Sequence, residues 1–162
     1  MTVLLDHTAH QTLLDNRLIL VVDDEEPIRR LLAYLLQSHG YTVDGAADAR
    51  EARQKLAAQP YALMLCDVNM PGESGMDLVR HALTAHPHTA AIMVTGLDSS
   101  VLANAALDVG AFGYIVKPFE SNEVLIDVAN ALRRRRLELE NRHHRENLED
   151  IVRTRTLALQ QA

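Results

Sequence analysis

Five short apolar runs, each followed by a stretch with the spacing of an amphipathic helix, constrain this chain more than any other feature. The first, Leu18 to Val22, is apolar at every residue, which suits a strand buried on both faces of a parallel sheet. Pro27 follows where a helix start tolerates it. Ile28, Leu31, Leu32, Leu35 and Leu36 then recur at helical spacing until Gly40 ends the segment. Tyr41-Thr42-Val43 opens a second strand, Asp48 caps a helix to about Ala58, and Pro60 closes it. A third strand, over about 61–66, runs into Asp67, and Met70-Pro71-Gly72 then breaks regular structure. Ser74 or Gly75 begins a helix with Met76, Leu78, Val79 and Leu83 on one face, ending near His86-Pro87. Ala90 to Thr95 is a fourth strand, Ser99 or Ser100 caps a helix carrying Val101, Leu102, Ala105 and Leu107, and Gly110 ends it. Phe112 to Val116 is the fifth strand, leading into Lys117-Pro118-Phe119. This alternation predicts a five-stranded parallel sheet with right-handed crossovers and helices on both faces.

Ligands of such sheets gather at the carboxyl ends of the strands. Those ends present Asp23 and Asp24, Asp67, Thr95 and Lys117. Any one of them has an ordinary reading, Lys117 as a surface ion pair and Thr95 as a strand residue. At one sheet edge they make a set. Crowded carboxylates repel, and either one stays protonated or a divalent cation binds. Oxygen ligands favour a hard ion such as Mg2+. Beside such an ion, Asp67 can attack phosphorus and form an acyl phosphate, with the Lys117 amine and the Thr95 hydroxyl on the phosphoryl oxygens.

The chain has 162 residues, enough for one domain and an appendage, and its 48% hydrophobic content supports a core. Without Trp, that core is aliphatic. The single Cys, Cys66, lies in an apolar strand and reads as a small core residue, so no disulfide forms within the chain and a reducing, cytoplasmic setting is expected. The first residues lack the pattern of a signal peptide, and no apolar stretch is long enough to span a membrane. Charge is uneven: net −6 overall, but residues 133–155 hold eight Arg against five acids.

Residues 1–16 are weakly patterned; Leu4, Leu5, Leu13 and Leu14 permit a short amphipathic helix, but the simpler reading is a frayed N-terminal extension. At the other end, no Gly or Pro interrupts the chain from Ser121 onward. One helix through about residue 159 would be roughly 60 Å long. Its first turns, with Val124, Leu125, Val128, Ala129 and Leu132, can pack on the sheet. Beyond them Leu137, Asn141, His144, Leu148, Ile151, Arg155 and Ala158 trace an impure heptad seam, which predicts a dimeric coiled coil over a C-terminal segment 133–162; the alternative is a solvated or disordered tail that orders only with a partner.

Read together, VVDDEEP with Asp23 and Asp24, CDVNMPGESG with Asp67, VTG with Thr95, and YIVKPF with Tyr114 and Lys117 resemble, in this order, the receiver domain of two-component response regulators. The resemblance covers residues 17–132. It implies a flavodoxin-like fold with strand order 2-1-3-4-5 and five helices, the last extended. It implies that Asp67 is the phosphoacceptor, and that Asp24, Asp67 and the backbone carbonyl of Asn69 bind Mg2+ while Asp23 acts through water. It also implies a cis peptide before Pro118, and a switch in which Thr95 moves toward the phosphoryl group and Tyr114 turns inward. The resemblance further implies that Gly96 leaves room beside Thr95 and that Asn69 and Leu97 flank the site and tune water access. The expected partners are a sensor histidine kinase or phosphotransfer protein, docking near Ile28 to Leu32, and a second copy of this chain; neither nucleic acid nor membrane is expected. The chain itself is then no enzyme beyond its own phosphotransfer and autodephosphorylation. The tail resembles linkers to output domains, of which HD-GYP-type phosphodiesterases and kinase-like modules are examples. The alternative is a stand-alone receiver acting as a scaffold in a phosphorelay.

Other readings are weaker. A phosphoaspartyl hydrolase needs a second Asp two residues after its nucleophile, and Asn69 cannot do that work. Arg133–Arg136 could bind nucleic acid or anionic lipid, but with Glu138 and Glu140 interleaved it reads as a solvated helix face. His143-His144 suggest a metal site or a phosphoaccepting histidine, without the surrounding pattern either would need, and His86-Pro87-His88 reads as a polar loop.

Overall fold

The computed structural model describes residues 2–96 and 100–161, without the side chains of 2–6, 100, 102 and 103. The expectations for Leu97, for a Ser99 cap and for the side chains of Leu4, Leu5 and Leu102 therefore lie outside the described residues. The elements are α1 (Thr2–Asp15), β1 (Leu18–Val22), α2 (Glu26–Gln37), β2 (Thr42–Ala46), α3 (Ala49–Ala58), β3 (Leu63–Asp67), α4 (Gly75–Ala85), β4 (Ala90–Thr95), α5 (Ser100–Asp108), β5 (Gly113–Val116) and α6 (Ser121–Gln161). They fall into two compact units. One runs from Asn16 to Arg135; the other joins the residues up to Asp15 with those from Arg136 onward.

The first unit holds a five-stranded parallel sheet in the order β2-β1-β3-β4-β5. Alternation along each strand splits the core in two. Leu20, Val22, Met64, Cys66, Ala91 and Met93 face Ala52 and Leu56 of α3, Leu78, Val79 and Ala82 of α4 and Ala106 of α5. Ile19, Val21, Leu63, Leu65, Ile92 and Val94 face Leu32 and Leu36 of α2 and Val124, Val128 and Ala131 of α6. Every residue of β3 and β4 is buried, as two-sided coverage of a parallel sheet requires. Local chemistry fixes the helix starts. The Asp48 carboxylate accepts the Glu51 N–H at 2.8 Å, and the Ser74 hydroxyl accepts the Asp77 N–H at 3.2 Å.

In the second unit, the N-terminal segment is a helix rather than a frayed extension. Leu14 of α1 and Leu139 of α6 are both buried, Asp15 pairs with Arg136 at 3.3 Å, and the His10 and His143 rings stack. The weak pattern of residues 1–16 did not reveal this, because the partner of Asp15 lies 121 residues on. Among the described residues the helices therefore number six rather than five. All seven positions of the expected heptad seam are exposed in the chain, and the buried leucine, Leu139, lies off that seam.

The arginine run is not a uniform solvated face. Arg135 is only 4% exposed, its Nε donates to the His88 carbonyl at 2.6 Å, and its Nη2 is buried without a partner. Arg134 lies over the Phe112 ring, 4.2 Å from its centroid. Arg133, Arg134 and Arg136 are exposed, as a solvated helix face requires; Arg135 is the exception. No helix among the described residues is long and apolar enough to cross a membrane.

Candidate functional site

The parallel pairing sets the strand ends side by side: Val22 is in register with Cys66, Asp67 with Val94, and Thr95 with Val116. The residues at and just past these ends are Asp23, Asp67, Thr95 and Lys117. All but Lys117 are buried, at 1%, 4% and 3% exposure. The Lys117 ammonium lies 2.8 Å from Asp23 Oδ2 and 3.4 Å from Asp67 Oδ2, so one cation bridges two buried carboxylates from two strands. The Lys117–Pro118 peptide bond is cis, as expected. The Lys117 N–H also donates to the Thr95 carbonyl at 2.7 Å, which ties the segment after β5 to the end of β4.

The second oxygen of each acid is held by the backbone. Asp67 Oδ1 accepts the Asn69 N–H at 3.0 Å, and Asp23 Oδ1 accepts the Glu25 N–H at 2.9 Å. These turns aim each carboxylate's other oxygen at the lysine. Burial pushes the Asp67 carboxyl above the usual carboxylate range, and the neighbouring Asp23 charge adds to this, against the pull of the Asn69 N–H and Lys117. Burial alone would lower the Lys117 ammonium, but its hydrogen bond and attraction to Asp23, with the charge of Asp67, outweigh this and raise it. The lysine is therefore charged, while burial disfavours the charged form of Asp67.

Asp24 is exposed next to this pair, and one carboxylate oxygen from each of Asp23, Asp24 and Glu25 lies within 4.8 Å of the others. An all-oxygen, net negative donor set suits a hard divalent cation. Each oxygen of Asp23 already has a donor, which leaves the exposed Asp24 better placed for direct ligation. Asn69 is exposed in the loop after β3 and is fixed to Asp67 through its N–H. A Cβ added at Gly96 would meet nothing within 4 Å, so the space beside Thr95 is open. Tyr114, in β5, is 38% exposed and borders a cavity of about 210 Å³ with Phe112, Asp127, Asn130 and Arg134. The structure thus joins Asp23, Asp67 and Lys117 directly, sets Asp24, Asn69 and Thr95 around them, and leaves Tyr114 on the outer strand.

Sequence reasoning passed over several contributors. Glu25 was legible in the run Asp23-Asp24-Glu25-Glu26 but was not singled out. The Arg53–Glu73 ion pair ties α3 to the loop between β3 and α4, and nothing in the spacing of those two residues announces it. Gly75 sits so close to the end of β3 that a Cβ there would lie 2.0 Å from the Asp67 carbonyl oxygen. Cys66 is buried, burial pushes its thiol up, and its Sγ contacts the Asp67 carbonyl at 3.4 Å, as befits a core residue.

Residues 19–129 match the family model for the response regulator receiver domain. Response regulator protein PilR of Pseudomonas aeruginosa is 40% identical over 121 residues, covering 75% of this chain and 27% of that protein. A CheY-like receiver domain protein from Methanospirillum hungatei superposes with a TM-score of 0.72 at 31% identity, covering 76% of this chain and 99% of that one. TrrA from Thermotoga maritima, solved in complex with Mg2+–BeF, gives 0.65 at 32% identity over 71% of this chain and 98% of its own. The chain spans between 27% and 50% of the length of the curated relatives it matches. The strand order, the paired aspartates bridged by a lysine, and these similarities converge: over residues 19–129 the chain belongs to the response regulator receiver domain family, the receiver of a two-component response regulator.

Proposed function

We propose that this receiver is a phosphorylation-operated switch and that Asp67 is its phosphoacceptor. The observation that carries this reading is the Lys117 ammonium set between Asp23 and Asp67 at the carboxyl edge of the sheet. The donor is a phosphohistidine on a sensor histidine kinase or phosphotransfer protein, received over the surface near Ile28 to Leu32, where Leu31 is 49% exposed. An Asp67 carboxylate oxygen attacks phosphorus, the P–N bond breaks, and the imidazole leaves with the bonding pair and takes up a proton. The product is an acyl phosphate on Asp67. Lys117, freed from Asp67 as that charge moves onto the phosphoryl oxygens, follows the charge and neutralises it there, and the Thr95 hydroxyl donates to another oxygen.

Asp24, Asp67 and the Asn69 carbonyl are the residues that would hold Mg2+, with Asp23 acting through water. The ion supplies positive charge that offsets the repulsion between the incoming phosphoryl group and the carboxylates. The similarity to a receiver solved with Mg2+–BeF supports this assignment. Thr95 and Tyr114 form the switch: drawing Thr95 toward the phosphoryl group opens space into which Tyr114, now exposed, turns.

The same reading extends to the tail. Leu148, Ile151, Val152, Leu157 and Leu159 of α6 are exposed at 49% or more, an apolar surface that a second copy of the helix would cover. The helix then passes the change at the receiver to a dimer and on to an output domain, an HD-GYP-type phosphodiesterase being the leading candidate. The chain itself catalyses nothing beyond its own phosphotransfer and dephosphorylation, in the cytoplasm. Incubation with a small-molecule phosphodonor and Mg2+ tests the receiver reading: wild type takes up label and Asp67→Asn does not. Sedimentation with and without BeF tests the tail, and a monomer in both states at high concentration refutes the dimer.

A further inference from the structure

We propose that His7, His10 and His143 form a binding site for a divalent transition-metal ion of the zinc type. All three belong to the unit made of α1 and the later part of α6, apart from the acidic edge already described. His7 and His10 are three residues apart on α1, so both lie on one face of that helix. His143 meets that face from α6: its ring centroid lies 3.8 Å from His10 and 6.1 Å from His7. Imidazole nitrogens around one tetrahedral ion at Zn–N distances near 2.0 Å place their ring centroids about 5 Å apart, between the two separations seen.

The surroundings suit a cation. Glu140, one turn before His143 on α6, acts electrostatically on His10 and can supply the fourth ligand or the balancing charge. Its carboxylate is at present held by Arg136 Nε at 3.3 Å. The Asn147 amide lies 3.3 Å from His143 Nε2, which leaves Nδ1 of that ring for the ion. Turned to present its oxygen, that amide accepts the Nε2–H, the kind of outer contact that orients metal-bound histidines. His10 and His143 now stack face to face, at an interplanar angle of 15°. The donor atoms of the three histidines do not all lie within 4.8 Å of one another as they stand, so binding requires rotation about the side-chain torsions to bring the nitrogens toward a common point. Three imidazoles and a carboxylate are a donor set that zinc, copper or nickel takes and magnesium does not. The bound ion would cross-link α1 to α6 within this unit.

The test uses the full untagged chain near neutral pH in excess Mg2+, so that the acidic edge does not compete. Zn2+ is titrated against a chromophoric chelator. One tight site per chain is expected. His10→Ala and His143→Ala should each weaken it by more than the 10- to 100-fold typical of losing an outer contact, and Asn147→Ala by about 10-fold. His81→Ala and His144→Ala, outside the cluster, should leave it unchanged. Circular dichroism on each variant separates loss of ligands from loss of helix, and His10→Gln provides a second variant of similar shape. Absence of a tight site, its survival in both His10→Ala and His143→Ala, or its loss in His81→Ala would each overturn the proposal.

Discussion

Alanine at Gly75 tests how tightly the loop after β3 is built. A Cβ on Gly75 would lie 2.0 Å from the Asp67 carbonyl oxygen, 2.8 Å from Val68 Cα and 2.9 Å from the Asp67 carbonyl carbon. Real Cβ contacts essentially never fall below 3.0 Å, so backbone must separate by at least 1.0 Å. None of the three obstructing atoms belongs to a side chain that could swing away. Overpacking typically costs about 1–3 kcal/mol, and the rigidity of the obstacle places Gly75→Ala at the upper end, about 3 kcal/mol. Gly72→Ala is the control three residues earlier. There a Cβ meets nothing within 4 Å, but φ is +85°, so the cost is conformational, about 1 kcal/mol. All four tyrosines, Tyr34, Tyr41, Tyr61 and Tyr114, lie in the sheet-bearing unit, so tyrosine fluorescence in a urea titration reports that unit. At equal slope, the Gly75→Ala midpoint should fall well below that of Gly72→Ala. Because the shifted backbone is that of Asp67, phosphoryl uptake should also slow in Gly75→Ala and hold in Gly72→Ala. A Gly75→Ala protein as stable as Gly72→Ala would refute the packing argument.

Three further outcomes are expected. Asp67→Asn should stabilise the fold in Mg2+-free buffer at neutral pH. Burial raises the Asp67 carboxyl, so the folded state binds its proton more tightly than the unfolded chain, and ionisation costs stability as pH rises past 3.8; the gain should shrink toward that pH, and no gain at neutral pH would contradict the assignment. Mg2+ at about one hundred times its dissociation constant should stabilise wild type by about 2.7 kcal/mol, and Asp24→Asn should lose most of this in a thermal melt. Arg135→Ala removes a buried side chain and the donor to the His88 carbonyl, and should cost about 1–3 kcal/mol in the same urea titration; a neutral effect would return Arg135 to the solvated face.

The sheet was legible because each strand's pattern is local. LILVV, LMLC and AAIMVT are apolar almost throughout, and each is followed by a helix. The edge residues followed from topology, since parallel strands deliver Asp23, Asp67, Thr95 and Lys117 to one side. What stayed hidden depends on distant partners. Helix α1 has no strong apolar stripe, and its contacts are to distant residues, His143 and Arg136. Arg135 sits among four arginines that look alike in sequence, and only the helix phase at the end of α6's packed turns buries that one against His88. The ion pair of Arg53 with Glu73 joins a helix to a loop, and Gly75's role is a matter of distance to a carbonyl. None of these leaves a periodicity to read.

Chemical mapping of the phosphoryl group tests the central claim most directly. After reaction with a phosphodonor and Mg2+, borohydride reduces an acyl phosphate to the alcohol, converting the modified aspartate to homoserine, which peptide mass spectrometry locates. Homoserine at position 67 and at no other acid is the expected result. Homoserine at position 23 or 24, or none anywhere while label is incorporated, would contradict the mechanism.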